Sequence, residues 1–197
     1  MNKTITLITE NEGKKKEFTQ ALDSFLGIEL KTLNLPLIEP QEMDLLSLSE
    51  IKLHFAIQQA AEKNLNQGWI LVDDTSLEFD ELNGLPGPYI KWFLKNLSLT
   101  QLVHLHCNAE PKKSARALCV LGLHDLEEKK NFFFQGEVLG SLVAPKGENL
   151  FGWDPIFQPL GFAQSFAEMP AELKAKISHR AMAIKNLKNF FQMREKR

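Results

Sequence analysis

Residues 69–75 read WILVDDT, four apolar side chains followed by two aspartates and a threonine. The apolar run predicts a buried strand, with Asp73 and Asp74 at its carboxyl end, where open α/β sheets bind their ligands. Two adjacent carboxylates in a partly dry position need a positive charge beside them. Mg²⁺ is the economical source because it takes oxygen ligands and bridges to phosphates. The alternative interpretation is a solvated turn after the strand.

Further strands and helices are predicted on both sides of this stretch. Residues 4–9 predict a first strand, and a polar loop then leads into a helix from Lys14 to near Gly27. Later strands are predicted at 115–123, 131–137 and 138–143, the last two as a bent pair. Two further helices present apolar faces formed by Ile51, Phe55, Ala56, Gln59 and Ala60, and by Ala183, Ile184, Leu187, Phe190 and Phe191.

The composition indicates one globular domain, or two lobes sharing a core. The chain has 197 residues, of which 44% are hydrophobic and 24% charged. A net charge of −2 gives no overall field to attract nucleic acid or an anionic membrane, so we expect neither as a partner. The apolar stretch before Glu10 is too short for a signal peptide, and no apolar run reaches bilayer length, which favours a cytoplasmic protein.

The sulfur and imidazole groups do not form a recognisable metal motif. Cys107 and Cys119 are too few for a disulfide framework or a four-thiolate zinc site, and we interpret them as buried small apolar residues. His104 to Cys107 follows a predicted helix cap at Ser98 or Thr100. We therefore interpret that segment as an ordinary helix end.

The loop TENEGK at 9–14 lies between a predicted strand and a helix N-terminus, where free backbone N–H groups favour an anion. Thr9 and Asn11 offer neutral hydrogen bonds and Lys14 a positive charge, so the loop is a candidate phosphate site. The glycine spacing of a P-loop is absent. The alternative is a helix cap followed by solvated lysines, which Glu10 and Glu12 favour because carboxylates repel phosphate.

The segment FGWDP at 151–155 places two aromatic rings around a glycine and follows them with an acid. Phe151 and Trp153 are suited to stacking on a flat base, and Asp154 to reading its edge. The alternative is a loop packed against the core. Lys174 and the run 178–180 add hydrogen-bond donors for a carbonyl-bearing ring or a phosphate, although a helix cap with a solvated basic turn would give the same pattern.

Six segments in a fixed order together resemble the inosine triphosphate pyrophosphatase (Ham1-like) family over most of the chain. They are TENEGK at 9–14, VDDT at 72–75, LNGLPGPYIKWF at 82–93, FGWDPIF at 151–157, AEMPAELK at 167–174 and SHRAMA at 178–183. The resemblance implies a mixed α/β fold with an elongated twisted sheet flanked by helices. It also implies a single domain, 1–197, with two lobes around a central cleft, and a homodimer.

The resemblance further implies Mg²⁺-dependent cleavage of ITP, dITP and XTP to the monophosphate and pyrophosphate, with Mn²⁺ as an alternative ion. Asp74, Lys14 and Lys91 take catalytic roles in this comparison, and Asp74, Asp73 and Glu39 hold the metal. Substrate binding falls to Thr9, Asn11, Lys14, Phe151, Gly152, Trp153, Asp154, Lys174, Ser178, His179 and Arg180.

The sequence departs from the family pattern at Glu10, at Lys146 and at the metal-binding glutamate. That glutamate would fall at Leu37, which cannot bind a metal, so Glu39 or Glu42 would replace it through a register shift. Two other functions stay open at this point: a pyrophosphatase for modified pyrimidine triphosphates, and a non-enzymatic module that binds nucleotides or nucleic acid. The paired acids and the near-neutral charge count against the module.

Overall fold

The computed structural model describes residues 4–22, 25–105, 114–148 and 151–196. Its strands are β1 (Thr4–Ile8), β2 (Glu29–Leu33), β3 (Trp69–Phe79), β4 (Pro86–Gly87), β5 (Ser114–Asp125), β6 (Lys130–Leu142) and β7 (Phe157–Pro159). Its helices are α1 (Glu12–Leu22), α2 (Leu45–Glu62), α3 (Ile90–Asn96), α4 (Leu99–His104), α5 (Ala171–Ile177) and α6 (His179–Glu195). The strands form one seven-stranded mixed sheet in the order β2-β1-β3-β5-β6-β7, with β4 paired to β3. The predicted α/β class is confirmed.

The N-terminal strand, loop and helix form as predicted, with different bounds. β1 is buried on both faces because it pairs in parallel with both β2 and β3. The helix begins earlier than predicted, at Glu12, and ends earlier, at Leu22. Sequence analysis missed β2, whose side chains are mostly exposed and show no apolar alternation. It is an edge strand, held by main-chain pairing to β1.

The predicted end of the third strand is wrong. β3 does not stop at Val72 but continues to Phe79, so Asp73 and Asp74 lie in the middle of an 11-residue strand. The pairing continues on the far side of the aspartates, where Leu77 pairs with Gly87 of β4. Leu77 and Phe79 are fully buried, and this burial anchors the strand beyond its polar centre.

The bent pair of strands predicted at 131–143 is one continuous strand, β6. Gly140 lies within it, opposite Pro159 of β7. A Cβ atom at Gly140 would come within 2.5 Å of the Gln158 carbonyl oxygen and 2.6 Å of the Phe157 ring. The glycine therefore allows close contact with β7 rather than marking a turn.

Helix α2 exists as predicted, but its buried face is different. Asp44 caps it, accepting a hydrogen bond from the Ser47 backbone N–H at 2.8 Å. Ile51, Phe55 and Gln59, which we predicted to be core residues, are only half-buried. The buried face consists of Leu45, Leu48, Ser49, Lys52, Leu53, Ala56 and Ala60. A lysine and a serine therefore lie on the face that contacts the core.

The predicted helix caps are confirmed. The Ser178 hydroxyl accepts from the Ala181 N–H at the start of α6, and Ser98 forms a capping box with Gln101 at the start of α4. Cys119 is buried, as expected, whereas His106 and Cys107 lie outside the described residues. Among the described helices, none is long and apolar enough to cross a membrane.

The chain divides into two compact units, and each has its own core. Unit 1 comprises residues 1–74, 120–135 and 183–197, and unit 2 comprises 75–119 and 136–182. The unit 1 core packs apolar residues of α2 against β3 and includes Leu53, Ala56, Ile70 and Val72. The unit 2 core is richer in aromatic residues and includes Phe79, Trp153, Phe157 and Phe166. The candidate site residues described next fall into two groups, one in each unit.

Candidate functional site

The loop between β1 and α1 is organised by its own side chains. The Asn11 N–H donates to the Thr9 hydroxyl at 3.1 Å, and the Lys14 N–H donates to the Asn11 side-chain oxygen at 3.0 Å. Asn11 therefore caps α1, which is the alternative reading of this motif. Asn11 is exposed and Thr9 half-buried, so both side chains remain accessible to a ligand.

Lys14 connects this loop to β3. Its ammonium donates to the Asp73 backbone oxygen at 2.6 Å and lies 2.6 Å from the Asp73 carboxylate. The Asp73 side chain is fully buried, so the lysine supplies the charge that this carboxylate needs. The structure thus brings together two predicted site residues that are 59 positions apart in the sequence.

Asp74 faces a different cation. Its Oδ1 atom lies 2.5 Å from the ammonium of Lys52 on α2, and Glu39 lies 4.0 Å from the same ammonium. Burial alone would lower the pKa of Lys52, but Asp74, Glu39 and Asp73 outweigh it and hold the pKa above its usual value. Lys52 is therefore a buried cation at neutral pH.

The two aspartates pair with different lysines. Successive residues of a strand point to opposite faces, and here Asp73 meets Lys14 whereas Asp74 meets Lys52. Within the described ranges, no three His, Cys, Asp or Glu side chains are grouped closely enough to hold a metal ion. The predicted set Asp73, Asp74 and Glu39 is therefore not preassembled as a cluster.

One atom of this group nevertheless fits a cation. Asp74 Oδ2 is buried and has no hydrogen-bond partner among the described residues. Such an oxygen is costly unless something pairs with it. A divalent cation would pair with it, since Mg²⁺ prefers carboxylate oxygens.

The structure also distinguishes the two glutamates that could replace the family's metal ligand. Leu37, at the family position, packs against the unit 1 core. Glu42 accepts a hydrogen bond from the Asp44 N–H at 2.9 Å, near the start of α2. Glu39 lies beside Lys52, the lysine that also pairs with Asp74. These contacts favour Glu39.

Sequence analysis missed Lys52. The available signal was a lysine on the same helical face as Leu48, Leu53 and Ala56, spaced by three and four residues, where a solvated charge is unexpected. That signal was hidden because we assigned the apolar face to Ile51 and Phe55. A buried lysine needs a carboxylate partner, and Asp74 provides it.

In unit 2, Asp154 and Lys174 form a buried pair. The Lys174 ammonium lies 2.5 Å from Asp154 Oδ2 and 5.0 Å from the centre of the Phe151 ring. Phe151 is half-buried, and Gly152 is exposed with a positive φ of 57° and open space around its Cα. The pair therefore lies beside an accessible aromatic ring, as a base-binding group requires.

Trp153 occupies a different position from Phe151. It is buried in the unit 2 core with Phe157 and Phe166, and its ring centre lies 5.0 Å from that of His179. The alternative reading, a loop packed against the core, therefore describes Trp153. Its contact with His179 makes it a support for the start of α6 rather than an exposed stacking surface.

The segment 178–180 is buried at the junction of α5 and α6. Ser178 caps α6, and the side chains of His179 and Arg180 are also buried. A buried guanidinium carries five donors in a fixed plane, which suits recognition of a carbonyl oxygen. Lys91 is different: it is an exposed residue at the start of α3, with its ammonium 5.9 Å from the Trp92 ring.

Comparisons of the sequence and of the fold with known proteins agree with each other. The sequence matches the Ham1 family over residues 5–190. It is 41% identical over 192 residues to an inosine triphosphate pyrophosphatase of Scheffersomyces stipitis, and the match covers 95% of this chain and 97% of that protein. The fold is similar to that of the Staphylococcus aureus Ham1 protein, with a TM-score of 0.76 and 25% identity over 98% of this chain and 100% of the other. A nucleoside-triphosphatase (dITP/XTP pyrophosphatase) of Mycobacterium abscessus has a TM-score of 0.68 and 25% identity, covering 93% and 98%.

Proposed function

Since the chain belongs to the Ham1 family, as its six sequence segments predicted, we propose that it is a nucleoside-triphosphate pyrophosphatase acting on ITP, dITP and XTP. The products are the nucleoside monophosphate and pyrophosphate. The similarity to an inosine triphosphate pyrophosphatase and to a dITP/XTP pyrophosphatase supports this substrate class. The biological role is the removal of deaminated purines from the nucleotide pool.

The observation that carries the proposal is the environment of Asp74. This carboxylate is buried, one of its oxygens is held by Lys52, and the other has no hydrogen-bond partner in the described chain. A carboxylate with one fixed and one available oxygen is suited to bind a cation and to orient a water molecule. Lys14 and Asp73 lie on the opposite face of the same strand and connect it to the phosphate loop.

The donor set fits Mg²⁺, with Mn²⁺ as an alternative, because it consists of carboxylate oxygens and one of them, Asp74 Oδ2, is buried without a hydrogen-bond partner among the described residues. Asp74 and Glu39 would hold the ion, with Asp73 contributing from the sequence prediction. When bound, the ion neutralises phosphate charge and lowers the pKa of a nearby water.

In the proposed reaction, a water oxygen attacks the α-phosphorus and the bond from that phosphorus to the oxygen bridging the β-phosphorus breaks. Asp74 orients the water and accepts its proton. The electron pair of the broken bond leaves on pyrophosphate. Lys14, Lys52 and Lys91 neutralise the charge that accumulates there, and Thr9 and Asn11 donate hydrogen bonds to the phosphates.

Unit 2 supplies the residues proposed for the base. Phe151 stacks on the ring, while Arg180 donates to the 6-keto oxygen with Ser178 and His179 at the same turn. Asp154 and Lys174 meet another polar edge, and Gly152 and Trp153 shape the loop. Adenine presents an amino group at position 6, which would leave a buried donor unpaired. Rejection on that basis reaches about 10⁴-fold in well-organised sites.

Release of pyrophosphate from a nucleotide panel tests the proposal. With Mg²⁺, the protein should hydrolyse ITP, dITP and XTP far faster than ATP, dTTP or UTP. Asp74→Asn should fold and lose about 10³-fold in kcat, whereas Asp80→Asn, which changes an exposed aspartate, should retain full activity. Preference for dTTP or UTP would indicate the pyrimidine alternative, and binding of ITP without hydrolysis would indicate the binding module.

The proposal includes three further properties. We propose Mg²⁺ as the physiological ion, a homodimer as the assembly and the cytoplasm as the location. The family resemblance supports the first two, and the third stays a prediction of the sequence analysis. The single domain with two lobes, 1–197, stays a prediction of the same resemblance.

A further inference from the structure

The face of α2 that meets β3 ends in polar residues. Leu53, Ala56 and Ala60 pack with Ile70 and Val72 in the unit 1 core. Ile70, Val72 and Asp74 lie on the same face of β3. The helix runs along this face so that its N-terminal part lies near Asp74, where Lys52 contacts the carboxylate. The next buried position on this helical face, three residues before Lys52, is Ser49.

Side-chain direction places Ser49 beneath the ion pair. Long side chains in a helix lean toward its N-terminus and cover the turn that precedes their own Cα. We therefore expect the ammonium of Lys52, and the Asp74 carboxylate 2.5 Å from it, to lie near the turn that contains Ser49. Residues three apart on a helix have Cβ atoms about 5–6 Å from each other, which is close enough for one water to join their polar groups.

Two buried polar atoms in this region are not paired with protein groups. Ser49 Oγ is fully buried and has no hydrogen-bond partner in the described parts of the chain, and the same is true of Asp74 Oδ2. Each such atom destabilises the protein unless it finds a partner. The Ser49 hydroxyl can donate a hydrogen bond and the Asp74 oxygen can accept one, so a single bridging water can bond to both.

We propose that Ser49 is a positioning residue for Asp74 and that it acts through one buried water. The Ser49 hydroxyl donates to the water, and the water donates to Asp74 Oδ2. With Oδ1 held by Lys52, this second contact fixes the plane of the carboxylate. A carboxylate oxygen has two lone pairs, so Oδ2 keeps one for a cation, and Oδ1, which accepts from Lys52, keeps one for the attacking water. The effect on turnover rests on the proposed function, whereas the water itself does not.

A high-resolution crystal structure of the wild-type protein tests the water directly. We expect an ordered water within about 3.2 Å of both Ser49 Oγ and Asp74 Oδ2. A structure in which the hydroxyl instead donates to the Leu45 carbonyl, one turn earlier, would overturn the proposal. This experiment decides the question even if the protein does not hydrolyse ITP.

Steady-state kinetics on ITP test the consequence. Ser49→Ala should lower kcat about tenfold and leave KM within about twofold at a temperature where the variant is fully folded. Its thermal midpoint should fall by only about 2–4 °C, because the variant loses one hydrogen bond to the bridging water. Ser49→Cys, which keeps the volume with a weak hydrogen-bonding group, should behave like Ser49→Ala. Ser49→Thr keeps the hydroxyl, so its kcat should be close to that of the wild-type protein, provided that circular dichroism shows the variant to be folded.

Ser47→Ala is the matched control, since the Ser47 hydroxyl serves the Asp44 cap on another side of α2. It should lower stability slightly and leave kcat unchanged. Unchanged kcat in both Ser49→Ala and Ser49→Cys, or losses of activity that follow losses of thermal stability, would show that Ser49 has no positioning role. If the wild-type protein releases no pyrophosphate, the proposed function fails and the crystal structure alone decides the role of Ser49.

Discussion

Replacing Lys52 with methionine removes the charge opposite Asp74 while keeping a side chain of similar length. Lys52 and Asp74 are 11% and 5% exposed, and their charged atoms lie 2.5 Å apart. At an effective dielectric constant of about 20, the attraction is about 7 kcal/mol before desolvation is counted. Burial of both groups offsets much of that gain. Breaking such a pair by removing one partner costs about 3–5 kcal/mol, because the remaining charge stays buried.

We therefore expect Lys52→Met to lower the free energy of unfolding by about 3 kcal/mol at pH 7, measured by urea denaturation with an unchanged m-value. In a double-mutant cycle, Lys52→Met combined with Asp74→Asn should be at least about 2 kcal/mol more stable than the sum of the single changes predicts. Lys31→Met is the control, because Lys31 pairs with Glu29 on the surface and both are more than half exposed. It should cost less than about 1 kcal/mol.

The stability that Lys52 contributes should fall at high pH. Because the pKa of Lys52 is raised above its usual 10.5 in the folded protein, its contribution to stability is complete below pH 10.5 and is lost as the pH rises through the folded value. The difference in stability between wild type and Lys52→Met should therefore narrow in strongly alkaline solution. A coupling energy below about 0.5 kcal/mol, or equal costs for Lys52→Met and Lys31→Met, would refute the reasoning.

Two further predictions concern unit 2 and the start of α2. Arg180→Ala should lower kcat/KM for ITP about 100-fold and change that for ATP less than threefold, because the buried guanidinium is proposed to read the 6-keto oxygen; equal losses for both nucleotides would remove Arg180 from base recognition. Asp44→Ala should cost about 1 kcal/mol at pH 7. The hydrogen bond from the Ser47 backbone lowers the pKa of Asp44, so this cost should shrink in acid below the usual value of 3.8, as urea titrations at several pH values would show.

The candidate residues could be identified because they lie in short segments. The aspartates follow four apolar residues, the first loop precedes a helix, and Lys174 lies near a capping serine, all of which local patterns indicate. Only the structure shows which of these residues contact each other. Lys14 contacts Asp73 and Lys174 contacts Asp154, pairings that depend on how distant elements pack.

The errors have a common physical origin in tertiary context. The polar residues 73–76 suggested the end of a strand, but burial of Leu77 and Phe79 continues it. β2 has no apolar alternation and exists because β1 offers a free edge for pairing. In each case packing outweighed the local signal.

Because the aspartates lie inside β3 rather than in a loop after it, the directions of their side chains are fixed. A residue in a loop can rotate, whereas a residue paired within a sheet has a fixed backbone, and its side chain must point to a defined face. Asp73 is thereby committed to Lys14 and Asp74 to Lys52. A shift of the strand by one residue would exchange the two faces and break both pairs. The apolar residues on either side of the aspartates therefore maintain the register on which the proposed role of Asp74 depends.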